Sequence, residues 1–216
     1  MAEQPDGVNA MSGDALLALC VFAVVSSITP GRSNFMLLAS GANFGFLRTV
    51  PQIFGISAGL GMLLLGVGLG LGVLLTTVRA LHLALKLAGA AYLLYLAWRL
   101  GMARSLGQGN SAASRPLRFV EAAAFQWINP KAWFAAVTAM AIYASAEAPF
   151  LSVALVSLVF ALAILPSLAA WAGFGMTLRD VLSEPARLKW FNIGMGLLLV
   201  PTLWPRERAM PSRQAR

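Results

Sequence analysis

Long apolar stretches separated by short polar or proline-containing breaks make up most of the chain. A helix crosses a bilayer in about 20 apolar residues, and six stretches approach or exceed that length. They lie at residues 15–40, 50–78, 81–98, 120–146, 148–178 and 190–204. The pattern therefore predicts six transmembrane helices, of which the last is the shortest and contains Pro201.

The composition indicates a membrane protein. Of the 216 residues, 59% are hydrophobic and 11% are charged, against about 25% charged residues in a soluble domain. A chain of this size cannot bury so much apolar surface in a soluble core. The composition excludes a disordered chain, a nucleic-acid-binding module and a soluble enzyme. It predicts an all-α membrane protein that forms a single integral membrane domain over residues 1–216.

The charged residues indicate an orientation. Lys and Arg number 16 against 8 Asp and Glu, which gives a net charge of +8. A polar linker at 105–116, within an arginine-rich stretch, separates two halves of about 11–104 and 117–205. The positive-inside rule places this linker in the cytoplasm and the acidic N-terminal stretch outside. Six full spans would place the arginine-rich C-terminal tail outside as well, so its side stays open.

Two of the apolar segments are interrupted by similar residues. The first reads Thr29-Pro30-Gly31-Arg32-Ser33-Asn34, and the fourth reads Gln126-Trp127-Ile128-Asn129-Pro130-Lys131. Each interrupted segment is the first helix of its half. Because each half has three helices, an odd number, the second half enters the membrane from the opposite side to the first. The layout predicts a 3+3 inverted repeat with broken first and fourth helices. In transporters of this kind, discontinuous helices form the substrate site near the bilayer midplane.

The breaks bring hydrogen-bonding groups and positive charge into apolar segments. Proline leaves a carbonyl without its helical donor, and such groups must be satisfied or line a wet cavity. Each restarting helix adds the partial positive charge of its N-terminus. Arg32 and Lys131 add full charges, and no acid is predicted mid-span to pair with them. The pattern predicts a site for a carboxylate-bearing solute. The candidate substrate-binding residues are Pro30, Gly31, Arg32, Ser33, Asn34, Gln126, Asn129, Pro130 and Lys131.

Structural explanations of the same features stay open. A proline kink in a membrane helix is often only structural, and Arg32 reaches the interface if the first helix ends at Pro30. The second helix carries glycines four residues apart, such as Gly55 and Gly59. Small residues at this spacing favour close helix packing in lipid, and lining a pathway is the alternative.

Few residues suggest catalysis or metal binding. The chain has one cysteine, Cys20, and one histidine, His82. A thiol–disulfide electron carrier needs two cysteines, and a metal exporter needs more histidine, cysteine or mid-span acids. We therefore expect no enzymatic activity, no cofactor and no metal. Glu121 and Asp180 are candidates for carrying a coupling proton. A non-enzymatic membrane scaffold and a passive channel stay open as alternatives to a transporter.

The residues at the two breaks resemble a known family, the LysE/RhtB family of amino-acid exporters. The first family motif is matched by Pro30, Gly31 and Asn34. The second is matched by Asn129, Pro130 and Lys131. The similar stretches occur in the same order along most of the chain. They are residues 29–41, 43–46, 55–59, 86–98 and 125–132.

The resemblance implies a secondary transporter that exports amino acids or related small metabolites. It also implies a multi-pass protein of the cytoplasmic (inner) membrane that uses a proton as the coupling ion and works as a homodimer. The family usually has proline and asparagine where this chain has Arg32 and Ser33. This departure leaves the particular substrate open.

Overall fold

The computed structural model describes residues 11–71, 115–145 and 147–199, together with the isolated helical positions Leu87, Ala91, Leu94, Tyr95 and Trp98. All regular structure in these residues is helical, in agreement with the predicted all-α class. The longer helices are α1 (Gly13–Ile28), α2 (Arg32–Phe44), α3 (Phe46–Gly66), α4 (Phe119–Trp127), α5 (Pro130–Tyr143), α6 (Pro149–Ala163), α7 (Leu165–Thr177) and α8 (Pro185–Leu199). His82, most of the third predicted helix, the linker up to residue 114 and the chain after residue 199 lie outside the described residues.

Within the described residues, two helical stretches are long and apolar enough to cross a membrane. They are Phe46–Gly70, with 25 residues and a mean hydropathy of 2.0, and Pro149–Thr177, with 29 residues and a mean hydropathy of 2.5. Helices α1 and α2 form a third candidate if they are one span broken by a bend of 63°. These stretches agree with the predicted first, second and fifth helices, whereas the six-helix inverted repeat stays a prediction.

Prolines set several helix boundaries. A proline occupies the first or second position of α5, α6 and α7, where its missing N–H is not needed. The fifth predicted helix consists of two helices joined at Ile164, since Pro166 cannot donate a hydrogen bond to the preceding turn. Helix α3 continues into a π-helical turn, Val67–Leu71, in which Gly70 has a φ of 98°. Glycine adopts this left-handed conformation without a steric penalty.

Glycines allow α3 and α4 to pack with their backbones in contact. A Cβ atom on Gly55 would lie 2.3 Å from the carbonyl oxygen of Phe119. One turn later, a Cβ atom on Gly59 would lie 2.4 Å from the carbonyl oxygen of Ala123. From the first contact to the second, the residue numbers rise by four in both helices, so α3 and α4 run parallel. The close-packing role predicted for this glycine pair is confirmed.

The two broken pairs of helices run in opposite directions. Lys131, at the start of α5, contacts Thr29 at the end of α1. Tyr143, at the end of α5, packs against Phe22 in the middle of α1, with ring centroids 6.5 Å apart. The first residues of α5 therefore lie beside the last residues of α1, and the two helices are antiparallel.

One end of the helix bundle carries the basic residues, and we call it the basic end. Arg179, which follows α7, approaches the Gly45 turn between α2 and α3, since a Cβ atom on Gly45 would lie 3.3 Å from Arg179 Nη1. Helix α2 therefore ends, and α3 begins, at the basic end. The opposite end holds Asp14 and Glu147, and within the described ranges it has no Lys or Arg. The basic end is defined by Arg48, Arg115, Arg118, Arg179, Arg187 and Lys189.

Helix α8 joins the bundle through a small contact with α2. Leu182 and Leu188 pack on Ala42 in a hydrophobic cluster of their own. Beside them, Asn43 Nδ2 donates to Asn192 Oδ1 at 2.8 Å, and Asn192 Nδ2 donates to Asn43 Oδ1 at 3.1 Å. Both side chains are buried, so this reciprocal amide pair fixes the register of α8 on α2.

Candidate functional site

A cavity lies where the two helix breaks meet, and we call it the break cavity. Its volume is about 40 Å³, above the roughly 10–15 Å³ that a buried water requires. Polar residues from both breaks form one part of the wall, and apolar residues of α3, α5, α6 and α7 form the rest. The lining residues are Ser26, Ser27, Gly31, Ser33, Asn34, Ile56, Leu60, Gln126, Asn129, Lys131, Ala132, Ala135, Phe160, Ile164 and Leu168.

Gly31 allows the two breaks to touch. A Cβ atom at this position would lie 3.0 Å from Lys131 Cδ and 3.2 Å from Lys131 Nζ. The backbone at Gly31 is extended, with a φ of −167°, which any residue adopts. The reason for glycine here is therefore the close approach of the lysine side chain, not the backbone conformation.

A buried polar cluster connects the two breaks. Ser33 of α2, Gln126 of α4 and Asn129, which precedes α5, are each less than 9% exposed. Asn129 Nδ2 donates to Ser33 Oγ at 3.2 Å, and Gln126 Nε2 lies 3.3 Å from the same oxygen. Gln126 Oε1 in turn accepts from Asn129 Nδ2 at 3.4 Å. The three side chains thus satisfy one another, as buried polar groups must.

The last carbonyls of α1 receive hydrogen bonds from side chains. Asn34 Nδ2 donates to the carbonyl of Ser27 at 2.7 Å and to that of Thr29 at 2.9 Å. Trp171 Nε1 donates to the carbonyl of Ile28 at 3.2 Å. These bonds replace the helical donors that the Pro30 break removes. Asn34 is therefore primarily a capping residue in this conformation.

Lys131 bridges the two broken helices. Its ammonium donates to the carbonyl of Thr29, where the negative end of the α1 dipole favours a cation. Within the described ranges, the ion pairs join Arg115 to Glu121 and Arg187 to Glu184, and none includes Lys131. Among the residues that the structure describes, no Asp or Glu lines the break cavity. The cavity therefore offers a cationic group and no competing carboxylate.

The two helices that restart at the breaks have different N-termini. Asn129 caps α5, since its Oδ1 accepts a hydrogen bond from the backbone N–H of Lys131 at 3.2 Å. Helix α2 begins after Gly31 without a side-chain cap. The uncapped, partly positive helix start at the cavity is therefore that of α2.

The structure places six of the nine candidate residues in the cavity wall and three outside it. Those in the wall are Gly31, Ser33, Asn34, Gln126, Asn129 and Lys131. Pro30 and Pro130 are exposed, and Arg32 is buried with 6% of its surface exposed. The prolines thus shape the breaks from outside the lining, and Arg32 is not among the lining residues.

The coupling candidates lie away from the cavity. Glu121 forms a two-pronged ion pair with Arg115, with oxygen–nitrogen distances of 2.6 and 2.8 Å. It also accepts the backbone N–H of Arg118 at 2.8 Å, which caps the start of α4. Asp180 is exposed beyond the end of α7. In this conformation both acids belong to the basic end.

Two groups of cavity residues were not identified from the sequence. Ser26 and Ser27 precede the first break, and their hydroxyls donate to the carbonyls of Ala23 and Val24; serines next to a proline break were the available signal. The apolar wall includes Phe160, which is fully buried. No sequence signal distinguishes such residues from those that face lipid, since both are apolar.

Membrane-length apolar helices surround a polar, lysine-containing cavity at two helix breaks, an arrangement that is typical of membrane transport proteins. The chain belongs to the LysE type translocator family, whose model matches residues 24–201. This match confirms the resemblance seen at the two breaks.

Individual relatives cover nearly the whole chain. It is 30% identical over 192 residues to the cysteine/O-acetylserine efflux proteins of Escherichia coli strain K12 and of Shigella sonnei strain Ss046. Each alignment spans 88% of this chain and 96% of the relative. No solved structure matches the chain.

Proposed function

We propose that the protein is a secondary transporter that exports amino acids or related small carboxylate-bearing metabolites across the cytoplasmic membrane. The observation that carries this proposal is the break cavity, which presents the Lys131 ammonium and no carboxylate within the described ranges. A cation in hydrocarbon is costly, and a bound carboxylate offsets that cost. Membership of a translocator family supports transport over a purely structural role.

The substrate carboxylate binds between Lys131 and the start of α2. An ammonium has three donors, so Lys131 can keep its bond to the Thr29 carbonyl and also donate to a carboxylate. The uncapped start of α2 lies directly beside it, because Gly31 contacts the lysine side chain. Backbone N–H groups at a helix start favour anions. The polar cluster of Ser33, Gln126 and Asn129 faces the same cavity and binds the other polar groups of the substrate.

The proposed substrates are small amino acids. The relatives named as cysteine/O-acetylserine efflux proteins make these two compounds the first to test. A polar cluster of neutral side chains suits uncharged polar substituents, since it hydrogen-bonds without requiring a counter-ion. The apolar side of the cavity, including Ile56, Leu60 and Phe160, limits the substituent to a small one.

Transport proceeds by alternating access at the two breaks. The cavity of about 40 Å³ has room for water in this conformation, and a whole amino acid enters when the breaks move apart. The antiparallel directions of the two broken pairs support the proposed 3+3 inverted repeat, in which the two halves rock around a central site. Pro30 and Gly31 form the hinge of the first half.

The charge distribution supports an orientation with the basic end in the cytoplasm. Cations gather at that end, whereas the opposite end holds Asp14 and Glu147, as the positive-inside rule requires. Proton coupling and a homodimeric assembly rest on the family resemblance. Coupling predicts that a protonophore abolishes export against a gradient.

Efflux from proteoliposomes tests the function and the site together. Wild-type protein should move radiolabelled O-acetylserine or cysteine, and Lys131→Ala and Asn129→Ala should each lower the rate by about tenfold or more, the effect of losing one charge-assisted or buried hydrogen bond. Lys189→Ala is the matched control, because Lys189 is exposed at the start of α8, and it should keep the wild-type rate.

The alternatives give different results. Wild-type rates in both site variants would remove the proposed site. A conductance that does not respond to the proton gradient would indicate a passive channel. A protein that neither transports nor gains thermal stability with any amino acid of a panel would be a scaffold.

A further inference from the structure

One buried polar side chain of α3 has no explanation in the packing of the bundle. Gln52 is only 1% exposed, yet neither its Nε2 nor its Oε1 has a hydrogen-bond partner in the part of the chain that the structure describes. Buried polar groups are nearly always hydrogen-bonded, and an unsatisfied one is destabilising. An amide in this state is available to a polar partner that binds in another conformation.

Gln52 lies on the face of α3 that lines the break cavity. Residues three or four apart share one face of a helix, and Gln52 precedes Ile56 by four residues. Ile56 and Leu60, one turn further along, both line the cavity. Gln52 itself is not in the lining, so it occupies the next position on that face beyond the cavity wall.

A polar contact between α2 and α3 lies next to Gln52, on the side away from the break cavity. Thr49, three residues earlier on α3, has its hydroxyl 2.9 Å from Ser40 Oγ of α2. Ser40 follows the cavity residue Ser33 by seven residues, which is two turns along the same face of α2. Both helices thus carry polar groups along their facing sides, and Gln52 is level with the turn between Ser33 and Ser40.

This polar line leads from the cavity to the basic end. Helix α3 begins at Phe46, beside the Gly45 turn that Arg179 approaches. The order from the cavity outward is therefore Ile56, Gln52, Thr49 and then the basic surface. Met36 and Leu37 of α2, at the level of Gln52, are 7% and 0% exposed, so the line is closed by packing in this conformation.

The chemistry of Gln52 suits a passing amino acid. A primary amide has two donors and an acceptor oxygen, so it can bind the carboxylate of a zwitterion with Nε2 and its ammonium with Oε1. Because the amide is neutral, it does not hold the solute strongly. A permeation path needs sites that are favourable enough to enter and weak enough to leave.

We propose that Gln52 is a transient binding subsite for the amino-acid substrate on the leg of the transport path between the break cavity and the basic end. This leg is closed in the present conformation and opens when the cavity takes up substrate from the cytoplasm. The proposal rests on the proposed function, since a path toward the basic end requires a transported solute.

Thiol labelling tests the path without measuring transport. In a Cys20→Ala background, Gln52→Cys and Ile53→Cys are compared in inside-out vesicles with a small, water-soluble, cationic methanethiosulfonate reagent. Ile53 is the matched control because it is the next residue of α3 and is also buried, at 4% exposed. Gln52→Cys should react at least about tenfold faster, since a thiol needs water access to ionise and react. Equal rates at the two positions would overturn the proposal.

Efflux and thermal stability of Gln52→Leu test the subsite. Leucine removes both hydrogen-bonding groups and leaves no unsatisfied amide, so the Tm should stay equal or rise. O-acetylserine efflux should fall about tenfold, the loss of one hydrogen bond to substrate, whereas Ile53→Leu should keep the wild-type rate. A raised Tm with wild-type efflux would show that Gln52 has no part in transport.

The two experiments separate this proposal from the proposed function. If wild-type protein moves O-acetylserine but Gln52→Leu moves it equally well, the subsite fails and the exporter stands. If wild-type protein moves no amino acid, the proposed function fails, and the subsite fails with it. A Gln52→Leu protein that does not fold leaves the decision to the labelling rates.

Discussion

At the scale of single residues, Lys131 connects the break geometry to function. Its position deep in an apolar segment predicted a cation that attracts an anion, and the structure shows that the ammonium already binds the Thr29 carbonyl at the end of α1. The lysine therefore stabilises the closed pair of breaks and also contributes the charge of the cavity. A substrate carboxylate that accepts a second hydrogen bond from the same ammonium, as proposed, would weaken its bond to Thr29 and loosen the contact between α1 and α5. Binding and opening are then linked through one side chain.

Asn34 is predicted to be required for the shape of the first break. Asn34→Ala removes the donor to the Ser27 and Thr29 carbonyls and should lower the free energy of unfolding by about 1–3 kcal/mol. Asn34→Asp keeps the size of the side chain, removes the donor and places an acceptor against two carbonyls, so it should be at least as destabilising. Thermal unfolding in detergent measures both, and an Asn34→Asp protein as stable as wild type would contradict the capping role.

At the scale of helices, glycines decide which pairs touch. The contact between α2 and α7 depends on Gly175, where a Cβ atom would lie 2.1 Å from the carbonyl oxygen of Leu38. Gly41 makes the reciprocal approach, with a Cβ position 2.0 Å from the carbonyl oxygen of Ala172. This contact holds the middle and the second half of α2 against α7, and α2 begins at the first break.

Two glycines of α7 provide a matched test of this contact. Gly175→Ala forces the α2 and α7 backbones apart and should cost about 1–3 kcal/mol, the usual penalty of overpacking. Gly173→Ala places a methyl group where no atom lies within 4 Å, and it should be neutral or stabilise by up to about 1 kcal/mol, since alanine favours helix. Equal unfolding temperatures for the two variants would show that the α2 and α7 backbones are not in contact at Gly175.

The sequence predicted helix breaks better than it predicted what surrounds them. Pro30 and Pro130 placed both interruptions correctly, because proline acts locally on its own turn. The division of the fifth helix at Ile164 was missed, although Pro166 follows it, because the flanking residues are uniformly apolar. Local chemistry therefore fixes where a helix stops, whereas the burial of an apolar residue depends on neighbours that are distant in the chain.

At the scale of the whole molecule, long-range packing brings the two breaks to one cavity. Sequence layout alone indicated that they would correspond, and the structure adds the contacts, such as the bond from Asn129 to Ser33 across 96 residues of chain. It also reveals the unsatisfied Gln52, which the sequence does not distinguish from other polar residues. A missing partner is a property of the folded packing and has no signal in the sequence.

A double-mutant cycle of substrate affinity at Ser33 and Asn129 tests the central claim most directly. The claim is that residues of both breaks form one binding site. Binding of O-acetylserine, the proposed substrate, is measured by calorimetry on wild-type protein, Ser33→Ala, Asn129→Ala and the double variant. Each single change should weaken binding, and the effects should be non-additive by about 0.5–3 kcal/mol, as for residues in one hydrogen-bond network. Strictly additive effects, or wild-type affinity in either single variant, would contradict a shared site.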